Sequence, residues 1–301
     1  MKHKLSVTVT LLVMFLITQI IGLAVISSYN SNGGDLPFGL ENPNQDSTPN
    51  FISILISFAI AFGLIFLLMK YQWKFVIKAW FFFVITLALG IALNSILKNW
   101  FATSEQLALL FALILAYLKI FKPGVIIHNA TELLIYPGIA VIFVPILTPI
   151  TIILFLILIS FYDMWAVWKS GLMQKMAKFQ MEELKIFGGF LLPSASKDTR
   201  AKIKAIKTKY KGKKIPKSVS NKKFKVNLAI LGGGDVIFPI ITSGVFMKAY
   251  GLTPAIFITL GAFLSLIYLF FKTEKGKSYP AMPYITVGIF VGLAVWKFLG
   301  F

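Results

Sequence analysis

Three acidic residues lie where acids are expensive. Of 11 Asp and Glu, eight fall in polar stretches, while Glu132, Asp163 and Asp235 fall within long apolar runs. A carboxylate in a membrane span is costly and marks a functional candidate. Asp163 precedes Lys169 by six residues, and Asp235 follows Lys225 by ten. At the helical rise these separations correspond to roughly 9 Å and 15 Å below one membrane edge, the second less if its helix begins later. Their runs are consecutive and antiparallel, so the two acids share a leaflet and a similar depth. Two chemistries suit such a pair. Sharing one proton, it can deprotonate water and polarise a carbonyl, which is general acid and base catalysis of hydrolysis. The alternative is a membrane transporter or channel that passes protons or cations over the same acids.

Glu132 lies about seven residues inside its own run, with His128 four residues earlier on the same helical face. It reads as half of a polar pair that ties helices together. The sharper reading is a third acid whose titration is coupled to the aspartates. HExxH is absent, so these two residues do not form a zinc-protease site. Cys is absent and His occurs only twice, so no metal or thiol site is expected. Thr242-Ser243-Gly244 follows Ile241 where a serine nucleophile motif needs Gly.

Two backbone motifs accompany the aspartates. Asp235 follows Gly232-Gly233-Gly234. Each Gly costs a helix about 1 kcal/mol relative to Ala and lets another backbone approach. Pro280-Ala281-Met282-Pro283 opens the last apolar run. Prolines three apart prevent a regular first turn, although Pro is also common at a helix start.

The elements that must position these residues are membrane helices. Hydrophobic residues make up 57% of the 301 and charged residues 14%, with mean hydropathy +0.82. A soluble domain carries about 25% charged residues. A membrane-crossing helix needs about 20 apolar residues. Nine stretches qualify: 5–28, 51–69, 75–97, 102–121, 125–144, 146–168, 226–247, 254–271 and 280–301. The expected fold is an all-α polytopic membrane protein, with six helices in residues 1–168 and three in 226–301. The basic loop 169–225 separates them. The net charge of +19 follows from orientation and not from nucleic-acid binding, because 27 of the 30 Lys and Arg fall on one side. That side is cytoplasmic. It takes the N-terminus, the 169–225 loop, and Lys119 with Lys122, and it leaves the C-terminus outside. Lysines 197–225 are expected to be solvated or to meet anionic lipid headgroups. The apolar patch 184–193 is too short to span, so it is expected at the membrane interface and mobile.

Tyr162-Asp163, then Gly232-Gly233-Gly234-Asp235, then Pro280-Ala281-Met282-Pro283 follow in order in a nine-span chain. In this respect the chain resembles the presenilin and signal peptide peptidase family of intramembrane aspartyl proteases, most of all its compact archaeal members. Met282 stands where the family usually has Leu. The resemblance implies that Asp163 and Asp235 are catalytic, with no metal or cofactor. It also implies that Tyr162, Gly232, Gly233, Gly234 and residues 280–283 position the substrate. The lysine asymmetry matches the presenilin orientation, so the implied substrates are single-span helices with the N-terminus outside the cell membrane. A homo-oligomer is compatible with these features. The substrate helix must unwind, and a strand-like segment near Gly232–Gly234 or Pro280–Pro283 is expected to pair with it.

Overall fold

The computed structural model describes residues 5–30, 36–40, 51–170, 186–194, 227–273 and 279–300. Among them are nine helices: α1 (Leu5–Asn30), α2 (Phe51–Lys70), α3 (Lys74–Leu97), α4 (Ser104–Phe121), α5 (Val125–Phe143), α6 (Pro149–Trp165), α7 (Gly233–Tyr250), α8 (Leu252–Lys272) and α9 (Met282–Phe298). Strands β1 (Gly189–Ser194) and β2 (Asn227–Gly232) form one antiparallel pair. Six of the helices are long and apolar enough to cross a membrane. The outer faces of the helices, α2 and α9 included, carry large exposed apolar side chains such as Ile52, Phe75, Ile126, Ile150 and Val287. A lipid environment satisfies these, whereas water would not.

Helix ends follow local chemistry. Thr148 caps α6 by accepting from Thr151 N–H, the Thr151 hydroxyl accepts from Thr148 N–H, and Pro149 occupies the first turn. The α5–α6 break falls at residues 144–148, which contain Pro145 and end just before Pro149.

One face of helix α1 packs on α5, α7 and α8. Leu11, Phe15 and Ile26 of α1 share one core with Phe190, Leu231, Val236, Ile240, Ile258 and Ile285. A second cluster joins α3, α4 and α5 through Leu89, Ala112, Ala116, Ile120 and Ile135. Helices α8 and α9 meet at Gly261 and Gly288, where a Cβ on either would strike the carbonyl of the other. Small residues at such crossings let helix backbones touch in lipid. Lys98 closes the face opposite the aspartates: its Nζ donates to the Ser28 carbonyl at 2.6 Å and lies over the Tyr29 ring.

Two expectations need correction. The run from 226 is not one helix: residues 227–232 are strand β2, and α7 begins only at Gly233. Asp235 therefore lies in the first turn of its helix. In β2 the side chains alternate, with Ala229 and Leu231 buried and Leu228 and Ile230 exposed. That alternation is a strand's. Where it is described, the patch 184–193 packs into the fold and is not free on a surface. Its described part holds β1, with Phe190 fully buried and Ile186 buried against the α3–α4–α5 cluster. Pairing with β2 satisfies backbone groups that would otherwise be stranded inside the fold.

Candidate active site

Asp163 sits in the last turn of α6 and is buried. Its Oδ2 accepts the Met282 N–H at 3.0 Å. Met282 is the first residue of α9, so a free N–H of that helix's first turn meets the carboxylate. One turn deeper, the Ser160 hydroxyl donates to Thr286 Oγ1 at 2.8 Å. These two bonds lock α6 to α9 at matching heights. The prolines thus mark a helix start, and the same start serves Asp163.

Asp235 reaches the same region from α7. It is part-buried and within electrostatic reach of Asp163. Its carboxylate folds back over Gly232 at the head of its own helix. Of the three preceding glycines only Gly233 is tightly enclosed: a Cβ there would lie 2.7 Å from the Tyr136 hydroxyl. Gly234 is open, with its nearest neighbour, Phe238, at 3.9 Å from such a Cβ. Pro239 offers no N–H to the Asp235 carbonyl. Beside it, Gln19 Nε2 of α1 donates to the Val236 carbonyl at 3.0 Å.

Strands β1 and β2 lie directly before this turn. Gly189 pairs with Gly232 and Leu191 with Ile230, and Gly233 N–H donates to the Gly188 carbonyl at 3.3 Å. Because the sheet has two strands, β2 has one edge without a strand partner among the described residues. Helix α5 holds the other strand. Asn129 Nδ2 donates to the Leu191 carbonyl at 2.8 Å, and Leu191 N–H donates back to Asn129 Oδ1 at 2.9 Å. His128 Nε2 bonds the Gly189 carbonyl at 2.7 Å. The Tyr136 ring meets Phe190 edge-on, with centroids 5.9 Å apart.

Glu132 is the base of a buried polar cluster. Lys119 Nζ lies 2.6 Å from Glu132 Oε1, 3.3 Å from His128 Nδ1 and 3.4 Å from Thr131 Oγ1. Lys119 is 5% exposed. It is therefore more than an orientation charge: it is held inside the fold by a carboxylate that a count of basic residues along the chain does not see.

The structure thus brings Asp163, Asp235, Gly232–Gly234 and the 280–283 segment together. Tyr162 is separate: it is exposed on α6, and its ring faces Trp165 at 6.2 Å. Sequence reading missed Asn129, Tyr136 and Gln19, and took Lys119 only as an orientation charge. For Asn129 the available signal was an amide next to His128, one turn before Glu132, in an otherwise apolar helix.

The family described as signal-peptide peptidase, presenilin aspartyl protease matches residues 12–299. No curated protein matches the chain. Among solved structures the chain is similar to a presenilin family intramembrane aspartate protease in a C222 crystal form, with TM-score 0.63 and 20% identity over 97% of this chain and 99% of that one. The P2 form of a presenilin family intramembrane aspartate protease gives TM-score 0.62 at 20% identity, over 97% of each chain. At that identity the likeness concerns the fold. The family match takes in both aspartates and some or all of every helix, and on that ground this chain belongs to the signal-peptide peptidase and presenilin family of aspartyl proteases.

Proposed function

We propose that Asp163 and Asp235 are the catalytic pair of this intramembrane aspartyl protease. The observation that carries the assignment is the Met282 N–H held by Asp163, with Asp235 in electrostatic reach from the next helix. Three segments far apart in sequence meet there. Two carboxylates so placed share one proton. The ionised member takes a proton from water while the protonated member polarises the scissile carbonyl, and the proton returns to the departing amine. Water reaches them from the side on which α6 ends and α7 begins. A transporter needs a path to both faces, and these polar groups gather at one end of the bundle.

The substrate is a membrane-spanning protein. In this reading it is a single-span helix with its N-terminus outside the cell membrane, and its unwound segment adds to the open edge of β2. Backbone pairing recognises an extended chain whatever its side chains. Leu228 and Ile230 are exposed and flank that edge. Residues 1–168, the cytoplasmic loop 169–225 and residues 226–301 serve as one catalytic membrane unit. Gly232–Gly234 and 280–283 shape the site, and Glu132 acts on it through the α4–α5 cluster and not as a third proton carrier.

The test is cleavage of a reconstituted single-span peptide by the purified chain, with and without Asp235→Asn. Cleavage that disappears with the substitution supports the reading. Cleavage that survives it, or proton flux without cleavage in the wild type, refutes it.

A further inference from the structure

The junction between β2 and the catalytic helix is soft. Gly233 and Gly234 separate the strand from Asp235, and neither carries a side chain to set the angle between strand and helix. The direction of β2 must come from elsewhere. Its partner among the described residues is β1, and β1 is held by α5. The same helix reaches the catalytic turn, since the Tyr136 hydroxyl packs on Gly233. One helix therefore carries the reference points for both the strand and Asp235.

We propose that Asn129 and His128 are positioning residues that fix which substrate bond lies over the aspartates. This inference rests on the reading of β2 as the strand that pairs with substrate. Asn129 bonds both the N–H and the C=O of Leu191, as a neighbouring strand would. Among the common side chains only a primary amide offers donor and acceptor together in that way. His128 supplies a second anchor, two residues along the same edge at Gly189. Its tautomer follows from its neighbours. Lys119 has only donors, so Nδ1 accepts and Nε2 carries the hydrogen that goes to Gly189. Lys119 is itself held by Glu132, so the buried cluster acts as the mounting of the His128 anchor.

Slippage is blocked in several ways. A one-residue shift of β1 would turn Phe190 off its buried face against Tyr136. A two-residue shift keeps the faces. In one direction it brings Pro193, which has no N–H, opposite Asn129. In the other it puts Phe187 in the place of Gly189, where φ is +142° and a Cβ would strike the Leu231 carbonyl at 2.5 Å. With β1 anchored to Asn129 and His128, Pro193 and Gly189 thus leave one register. With β1 fixed, β2 presents its open edge at one height relative to Asp235, and the paired substrate chain is cut at one principal bond.

The experiment uses the full-length chain in lipid vesicles, a single-span synthetic peptide, and mass spectrometry of the products. Asn129→Asp keeps the shape and loses the donor, and Asn129→Leu loses both bonds. Each should raise the share of products cut one or two residues from the principal bond by about threefold or more, even in preparations with wild-type thermal stability. His128→Leu should do the same, and His128→Gln, which still donates to Gly189, should restore the wild-type product ratio. A purely structural role lowers rate and stability together and leaves the ratio unchanged. If Asn129→Asp cuts the same bonds in the same proportions, or His128→Gln and His128→Leu are alike, the inference fails. If Asn129→Leu does not fold, Asn129→Asp and the His128 pair decide the matter. A wild-type chain that cleaves no membrane peptide overturns the reading of the site, and the register inference with it.

Discussion

Asp163 and Asp235 carry the proposed chemistry as a unit, and groups that act as a unit are not additive on mutation. Asp163→Asn and Asp235→Asn should each remove cleavage nearly completely, and the double variant should be no slower than either single one. Neither should unfold the chain, because Asn keeps the shape and removes a charge. Rate against pH should be bell-shaped, each limb reporting the pair and not one residue. Substantial cleavage by Asp163→Asn would exclude the shared-proton mechanism. The Lys119–Glu132 pair behaves differently. Removing one partner of a buried ion pair leaves an uncompensated charge, at a cost of about 3–5 kcal/mol. Lys119→Met should therefore lower stability by that order, and Lys119→Met with Glu132→Gln should recover most of it. Thermal unfolding in mild detergent measures both. Equal loss in the single and double variants would mean that the pair is not the source of the effect.

At the scale of elements, the three glycines before Asp235 separate by packing. Gly233→Ala must displace the Tyr136 hydroxyl or the start of α7, so the turn that carries Asp235 moves. A misplacement of about 1 Å costs up to about a hundredfold in rate, and a fall of at least about tenfold is expected. Gly234→Ala meets nothing closer than 3.9 Å and replaces a poor helix former in the first turn of α7. It should leave the unfolding midpoint unchanged or raise it slightly. Activity assays and thermal unfolding of the two variants side by side test this contrast, and equal behaviour would count against it. The segment 186–193 gives a third expectation at this scale. It supplies buried Ile186 and Phe190 and satisfies Asn129 and His128, so its deletion should yield misfolded or aggregated protein. A well-folded deletion variant would show that the strand pair is peripheral.

For the whole molecule the open question is which way it faces. The ends of α6 and β1 and the start of α7 lie at one end of the bundle, with the Lys-rich residues between them in sequence. Burial of Lys119 removes one residue from the basic tally on that side, and the asymmetry remains large. The chain contains no Cys, so single cysteines report topology directly. A cysteine at position 210, outside the described residues, should resist an impermeant thiol reagent in intact cells, and one at position 40 should react. The opposite pattern would reverse the orientation, and with it the class of substrate.

The chain by itself determined its membrane class and the nine helices found among the described residues, and it singled out the two aspartates as candidates. Lipid imposes long apolar runs, and an acid within such a run stands out against them. The proline and glycine motifs were legible as backbone signals for the same reason. What only the tertiary structure decided were the through-space partners. An apolar run such as Asn227–Gly232 reads the same as strand or helix when hydropathy is the only guide, and β1 thirty-odd residues upstream settled it. Lys119 looked like an orientation charge until Glu132 was found beside it in space. Asn129 looked incidental because its role is a pair of bonds to Leu191, 62 residues away in the chain. Periodicity along a sequence reports which face of an element is buried. It carries no information about which distant backbone a buried amide or ammonium will meet, and in this protein those meetings position the site.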